Sequence, residues 1–239
     1  MALKSKNGNF LTFLKSFVTL FFPKVCKKCG NELQANNELL CKKCCDTLPK
    51  TNYENSKNNP VEQLFWGKVK VEHAFSFFYF RKGETLHKIV HLLKYKGNKK
   101  AGELLGTFAG KKMVKMVHRP HFDYLIPVPL HPKKFAKRGY NQCEILCDSI
   151  SKITDIPVIN NLLLRNIHNV SQTKKGKYER WQNVEGIFKL ENSDTMQGKH
   201  LLLVDDIITT GSTIEACCAT LLKIPNVKVS VMSIGYSSN

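Results

Sequence analysis

Residues 200–215 read HLLLVDDIITTGSTIE. Two carboxylates, Asp205 and Asp206, follow a run of four apolar residues, and the turn Thr209-Thr210-Gly211-Ser212-Thr213 comes just after them. A hydroxyl-rich turn that opens a helix holds anions, because its free amides and the helix dipole present positive charge. Gly211 lets backbone approach such a ligand closely. The two acids repel that same anion, so they call for hydroxyl donors or a divalent cation. A ligand with a phosphate at one end and vicinal hydroxyls a short distance away, such as ribose 5-phosphate, meets both demands. A Walker B strand has a similar look. It needs a G-x-x-x-x-G-K-[ST] partner, however, and GTFAGKK at 106–112 has the wrong spacing and lacks the final hydroxyl. An ordinary buried strand ending in a solvated turn is the plain alternative.

A second set of chemistry-bearing residues lies near the start. Cys26 and Cys29 form one C-x-x-C knuckle, and Cys41 and Cys44 form another eleven residues on. Four thiolates at this spacing suit one tetrahedral Zn²⁺ in a closed, structural site with no open position for catalysis. Cys45 competes with Cys44 as fourth ligand on sequence grounds. Disulfides are the alternative, but nine cysteines is an odd number and no export signal is evident, which points to a reducing cytoplasm. Cys143, Cys147, Cys217 and Cys218 sit in apolar helical patterns and read as small buried hydrophobes.

The elements that must position these residues read as α/β. Strand patterns fall at 71–80, 123–128, 186–190, 200–204 and 227–234. Helical periodicity covers 84–117 with a break at 95–98, then 141–153 and 213–222. Apolar strands alternating with helices predict a mostly parallel sheet with helices on both faces. Ligands bind such sheets beyond the carboxyl ends of the strands, where Asp205 and Asp206 would lie. The polar stretch KTNYENSKNNP at 50–60 reads as a linker. The expected domains are therefore a small zinc-binding module with its linker over 1–60 and the α/β domain over 61–239.

The charge is unusual: 37 Lys and Arg against 19 Asp and Glu give +18. Such an excess favours an anionic partner, either nucleic acid, a phosphorylated substrate or an acidic surface. Residues 81–120 hold eleven Lys or Arg against Glu84 and Glu103. Basic residues together with Trp66, Phe77, Tyr79 and Tyr95 could stack on and neutralise a single strand, although Phe77 and Tyr79 alternate in a strand pattern and read first as core. The run FLTFLKSFVTLFF at 10–22 is too short to span a bilayer and carries Lys15. It reads as an amphipathic helix against protein, with peripheral membrane contact as the other reading.

Taken in order, several stretches resemble one family. They are the module of Cys26, Cys29, Cys41 and Cys44, HLLKYKGNKK at 91–100, IPVPLHPKKFAKRGYNQ at 126–142, SQTKKGKYERWQNVEGIF at 171–188 and VDDIITTGST at 204–213. The last resembles the phosphoribosyl-pyrophosphate (PRPP) motif of type I phosphoribosyltransferases, and the whole resembles the ComF family of competence-associated proteins. The resemblance implies a type I phosphoribosyltransferase-like fold. It also implies that Asp205 and Asp206 hold the ribose hydroxyls with Mg²⁺ bridging ribose and pyrophosphate, and that Thr209, Thr210, Gly211, Ser212 and Thr213 cradle the 5-phosphate. The loop with His131, Lys133, Lys134, Lys137 and Arg138 would hold the pyrophosphate. A flap between Asn166 and Gly186, containing Gln172, Arg180 and Asn183, would close over PRPP. No residue stands out as a general base, so the acceptor stays unnamed. The resemblance further implies a part in handling incoming single-stranded DNA, alongside competence machinery such as a helicase.

Overall fold

The computed structural model describes residues 24–33, 39–117, 120–165 and 187–237 of the 239. The 10–22 segment and the flap with Gln172, Arg180 and Asn183 lie outside the described residues. The chain divides into two compact units, Met1–Leu48 and Pro49–Asn239.

In the smaller unit, Val25 and Glu32 form an antiparallel bridge around a turn closed by Gly30 N donating to Cys26 O (2.9 Å). A short helix, α1 (Lys42–Asp46), begins directly after Cys41.

The larger unit starts before the expected boundary. Thr51 N donates to Phe77 O and Tyr79 N to Pro49 O, so residues 49–51 run along the edge of a strand. The polar side chains that suggest a linker are used structurally. Asn59 caps α2 (Pro60–Gln63) by accepting from Val61 N and Glu62 N, and buried Glu54 pairs with Lys112. Strand β1 (Ala74–Tyr79) leads into α3 (Thr85–Tyr95) and α4 (Lys99–Val114). The break between those helices falls where the sequence predicts it. Gly97 takes φ +65°, and the Asn98 side chain caps α4 by accepting from Ala101 N.

There follow β2 (Tyr124–Pro127), α5 (Pro132–Arg138), α6 (Gln142–Thr154), β3 (Leu163–Arg165), β4 (Phe188–Leu190), β5 (His200–Ile208), α7 (Ser212–Leu221) and β6 (Lys228–Tyr236). The main sheet has the order β1-β6-β5-β2, every pair parallel, and β3 and β4 form a separate antiparallel ladder. The parallel α/β class is thus as expected. Leu201, Leu202, Leu203 and Val204 are each fully buried. Neighbouring side chains on a strand point to opposite faces, so both faces of the sheet at β5 are covered. One face packs Leu201, Leu203, Val229 and Val231 with Ile214, Cys217 and Leu221 of α7.

Helix α6 lies on β2 and β5, and α4 packs along α6. Gly102, Gly106 and Gly110, four residues apart, make that contact close. A Cβ on Gly106 would stand 2.6 Å from Ser149 Cβ and 2.8 Å from the Leu146 carbonyl oxygen. The GTFAGKK segment is therefore helix interior serving packing.

Candidate functional site

Strand β5 does not stop at Val204 as the sequence suggests. It stays in register with β6 through Asp205↔Ser233 to Ile208↔Tyr236, so both acids are strand residues. Their exposures are 9% and 3%. They also have different surroundings, as strand alternation requires. Asp205 Oδ1 accepts from Asp206 N (2.8 Å) and from the Cys143 thiol (3.4 Å) on α6. Asp206 Oδ1 accepts from Ile207 N (2.8 Å), while its Oδ2 lies 2.7 Å from Lys94 Nζ on α3. Burial, then the charge of Asp206, pushes the Asp205 carboxyl up to about 7. Lys94 is held above its ordinary value: burial opposes its charge, and the carboxylates of Asp206 and Asp205 outweigh burial.

The turn after β5 is open to solvent through its hydroxyl residues. Thr209, Thr210, Ser212 and Thr213 are exposed, whereas Gly211 is buried. Gly211 takes φ +79° at the N-cap of α7, and a Cβ there would lie 3.2 Å from Phe65 Cε1. Thr210 and Ser212 hydroxyls are 3.1 Å apart. A small cleft of about 50 Å³ is lined by Asp205 and residues 207–214. Asp205 and the turn therefore share one space, with the amino end of a ten-residue helix at its floor. Asp206 does not line that cleft; it faces Lys94.

The basic stretch after β2, expected as a loop, is the short helix α5. Its signals are present in the sequence: His131 Nδ1 accepts from Lys133 N (3.1 Å) at the N-cap, Pro132 sits at N1, and Gly139 ends the helix at φ +80°. Lys133, Lys134 and Lys137 are exposed. Burial and the nearby Arg165, Lys133 and Lys134 charges hold His131 below its usual range. Arg138 donates to Gln142 Oε1, and its guanidinium stands 5.8 Å over the Tyr95 ring. Gln142 precedes Cys143, which touches Asp205, and Tyr95 follows Lys94, which touches Asp206. Arg138 is thereby anchored to the neighbours of both acids.

Lys94, Gln142 and Cys143 are site residues to which the sequence reading gave no part in the site; Tyr95, expected as a stacking surface for a single strand, lies under the Arg138 guanidinium. A signal for Lys94 exists: it falls four residues after Val90 and eight after Leu86, both buried, so a lysine occupies the apolar stripe of α3. Cys143 has no such signal; it is as buried as Cys147, Cys217 and Cys218, and only the fold puts it beside Asp205.

In the smaller unit the sulfurs of Cys26, Cys29, Cys41 and Cys44 all lie within 4.8 Å of one another, and Cys45 is not in this group. Burial, then hydrogen bonds that the Cys44 thiol donates to the Cys29 and Cys41 sulfurs, pushes Cys44 up to about 12. Cys26 moves the other way, to about 6: burial opposes ionisation, and the Cys29, Cys41 and Lys28 amides outweigh it. Four thiols this close cannot all ionise without a cation among them, and a tetrahedral metal ion is the group that such a donor set fits.

No protein-family model matches the chain. Among curated proteins it is 35% identical over 113 residues to competence protein F of Haemophilus influenzae, covering 47% of this chain and 49% of that one. It is 29% identical over 143 residues to competence protein ComFC of Bacillus subtilis, covering 59% and 53%. The DNA utilization protein YhgH of Escherichia coli K12 is 26% identical over 144 residues, covering 58% and 61%. The chain thus spans about half to three fifths of the length of these relatives. The likeness to ComF-type proteins read from the motifs is a likeness to proteins of that name. Solved structures similar to it include the glutamine PRPP amidotransferase from B. subtilis, at 18% identity and TM-score 0.39, covering 56% of this chain and 26% of that one. The adenine phosphoribosyltransferase of Leishmania tarentolae matches at 10% identity and TM-score 0.39, covering 71% and 94%. Among the described residues no helix is long and apolar enough to cross a membrane.

Proposed function

We propose that this chain binds PRPP and transfers its phosphoribosyl group to an acceptor, in the service of DNA uptake. One observation carries the reading: Asp205 and the hydroxyl turn at the amino end of α7 line the same cleft. The turn amides and the hydroxyls of Thr209, Thr210, Ser212 and Thr213 would take the 5-phosphate. Ionised Asp205 would accept from a ribose hydroxyl. Lys133, Lys134, Lys137 and Arg138 supply positive charge beside the carboxyl end of β2, where a pyrophosphate would lie; Arg138, stacked on Tyr95, is pre-positioned for a two-pronged contact. Mg²⁺ bound with PRPP would neutralise pyrophosphate oxygens and so ease their departure.

In the reaction, the C1–O bond breaks with its electron pair leaving on pyrophosphate. A bond from the acceptor to C1 forms, and the acceptor loses a proton. Stabilising the departing anion is the largest contribution this site offers. The four-cysteine group would hold structural Zn²⁺ in the smaller unit. The names of the relatives, competence protein and DNA utilization protein, support a setting in natural transformation, and the reducing cytoplasm suits free thiols.

A second reading is a single-strand binder whose PRPP cleft is regulatory. The charge of +18 and two exposed aromatics, Trp66 and Tyr95, favour it. Phe77 does not contribute, being fully buried in β1. Calorimetric titration with PRPP, with and without Mg²⁺, tests the first reading. Wild type should bind and Asp205→Asn should lose at least tenfold; no heat with wild type would end it. The second predicts oligonucleotide binding that weakens steeply with salt.

A further inference from the structure

Asp205 and Asp206 are adjacent and almost fully buried, and among the described residues the pair has one cation within ion-pairing distance. Lys94 Nζ lies 2.7 Å from Asp206 Oδ2, with the lysine side chain 23% exposed and the aspartate side chain 4%. Other groups facing the acids are neutral: Cys143 from α6 contacts Asp205, and Ser233 of β6 stands opposite Asp205 in the sheet. Arg138 is turned to Gln142 and the Tyr95 ring. Among the described residues no other Lys, Arg or His forms an ion pair with either acid.

A buried carboxylate with one oxygen left over from its backbone hydrogen bond is a hard donor for a divalent ion such as Mg²⁺ or Mn²⁺, and Asp206 Oδ2 is such an oxygen. Here a lysine side chain reaches in from α3 and takes that position. The backbone that carries it is anchored, because Leu93 beside it is fully buried and Leu93 O accepts from the Tyr140 hydroxyl.

We propose that Lys94 is the built-in counter-cation of the acid pair, standing where a divalent ion would otherwise bind. The protein then presents Asp205 alone to a ligand, and the acids recruit no metal by themselves. For its consequence this role rests on the sugar-phosphate reading above: any Mg²⁺ in the site arrives on the pyrophosphate of the ligand instead of waiting on the protein. Lys94 is a positioning residue in this scheme, acting through Asp206.

The test needs no turnover. Mn²⁺ is titrated into the full-length protein, with its cysteine site loaded, and followed by electron paramagnetic resonance. Wild type should show no Mn²⁺ site that Asp206→Asn removes. Lys94→Met should gain one site at least tenfold tighter than any in wild type, and Lys94→Met combined with Asp206→Asn should lose it. Lys94→Arg, which keeps the charge, should behave as wild type. Lys94→Met binding Mn²⁺ no better than wild type would overturn the role. So would a wild-type site that disappears with Asp206→Asn, an outcome that stands even if Lys94→Met fails to fold. PRPP titration of the same samples separates the two ideas: wild type that ignores PRPP removes the substrate reading, while the Mn²⁺ result still decides the role of Lys94.

Discussion

A methyl group placed on Gly211 would begin 3.2 Å from the Phe65 ring, at a backbone φ of +79°. The turn between β5 and α7 is therefore seated on the segment after α2, and two separate constraints demand glycine there. Left-handed backbone costs an ordinary residue about 1–2 kcal/mol, and Phe65, 1% exposed, has little room to move. Gly211→Ala should lower stability by about 1–2 kcal/mol and weaken PRPP binding more than tenfold. Urea unfolding and calorimetry check both; an unchanged midpoint would show that the turn relaxes freely.

Asp205 gives a pH prediction with a definite sign. Its folded-state pKa, raised to about 7, exceeds the ordinary carboxylate value. The folded protein therefore holds a proton that the unfolded chain releases, and stability falls as pH rises from about 4 to about 7. Asp205→Asn removes that penalty. The variant should match wild type near pH 4 and exceed it at pH 8 by on the order of 4 kcal/mol. Melting curves across this range check it, and parallel curves for the two proteins would contradict it. Ligand binding should run the opposite way, strengthening in wild type as Asp205 ionises.

The glycine stripe on α4 predicts a purely mechanical effect. Gly106→Ala puts a carbon 2.6 Å from Ser149 Cβ, and neither helix backbone can retreat without disturbing β2 and β5 beneath. The loss should be about 1–3 kcal/mol, despite the better helix propensity of alanine. A more stable Gly106→Ala variant, read by thermal unfolding, would mean the interface is looser than its geometry implies.

The cysteine group separates two adjacent residues. Cys44→Ser should abolish stoichiometric zinc, measured by elemental analysis, and Cys45→Ser should retain it, because only the Cys44 sulfur joins the other three. Chelation should unfold the smaller unit and leave the melting of the larger unit, which has its own buried core, unchanged.

Much of this architecture can be read from residue order, and the exceptions have physical causes. The strand containing HLLLV and the break at Gly97 are written in local pattern, since apolar runs and glycine act over a few residues. The extent of β5 is not, because Asp205 and Asp206 remain in the strand only through pairing with Ser233 and Gly235's neighbourhood in β6. Helix α5 was masked by its lysines, which advertise a loop although His131, Pro132 and Gly139 mark both ends of a helix. Sequence adjacency suggested that the twin acids act together. The pleat separates them, and Lys94, more than a hundred positions earlier, claims one. Contacts of that range leave almost no trace in a single chain.

The strand order has a consequence for how this protein is made. Strand β1, with the sequence AFSFFY, is the earliest strand of the sheet, and its sheet partner β6 is the last. About 150 residues separate them, so at usual rates of synthesis an aromatic strand waits on the order of ten seconds on the ribosome before its neighbour emerges. During that interval AFSFFY is the segment a chaperone would shield, and a message truncated ahead of β6 would yield a chain with its stickiest edge left bare.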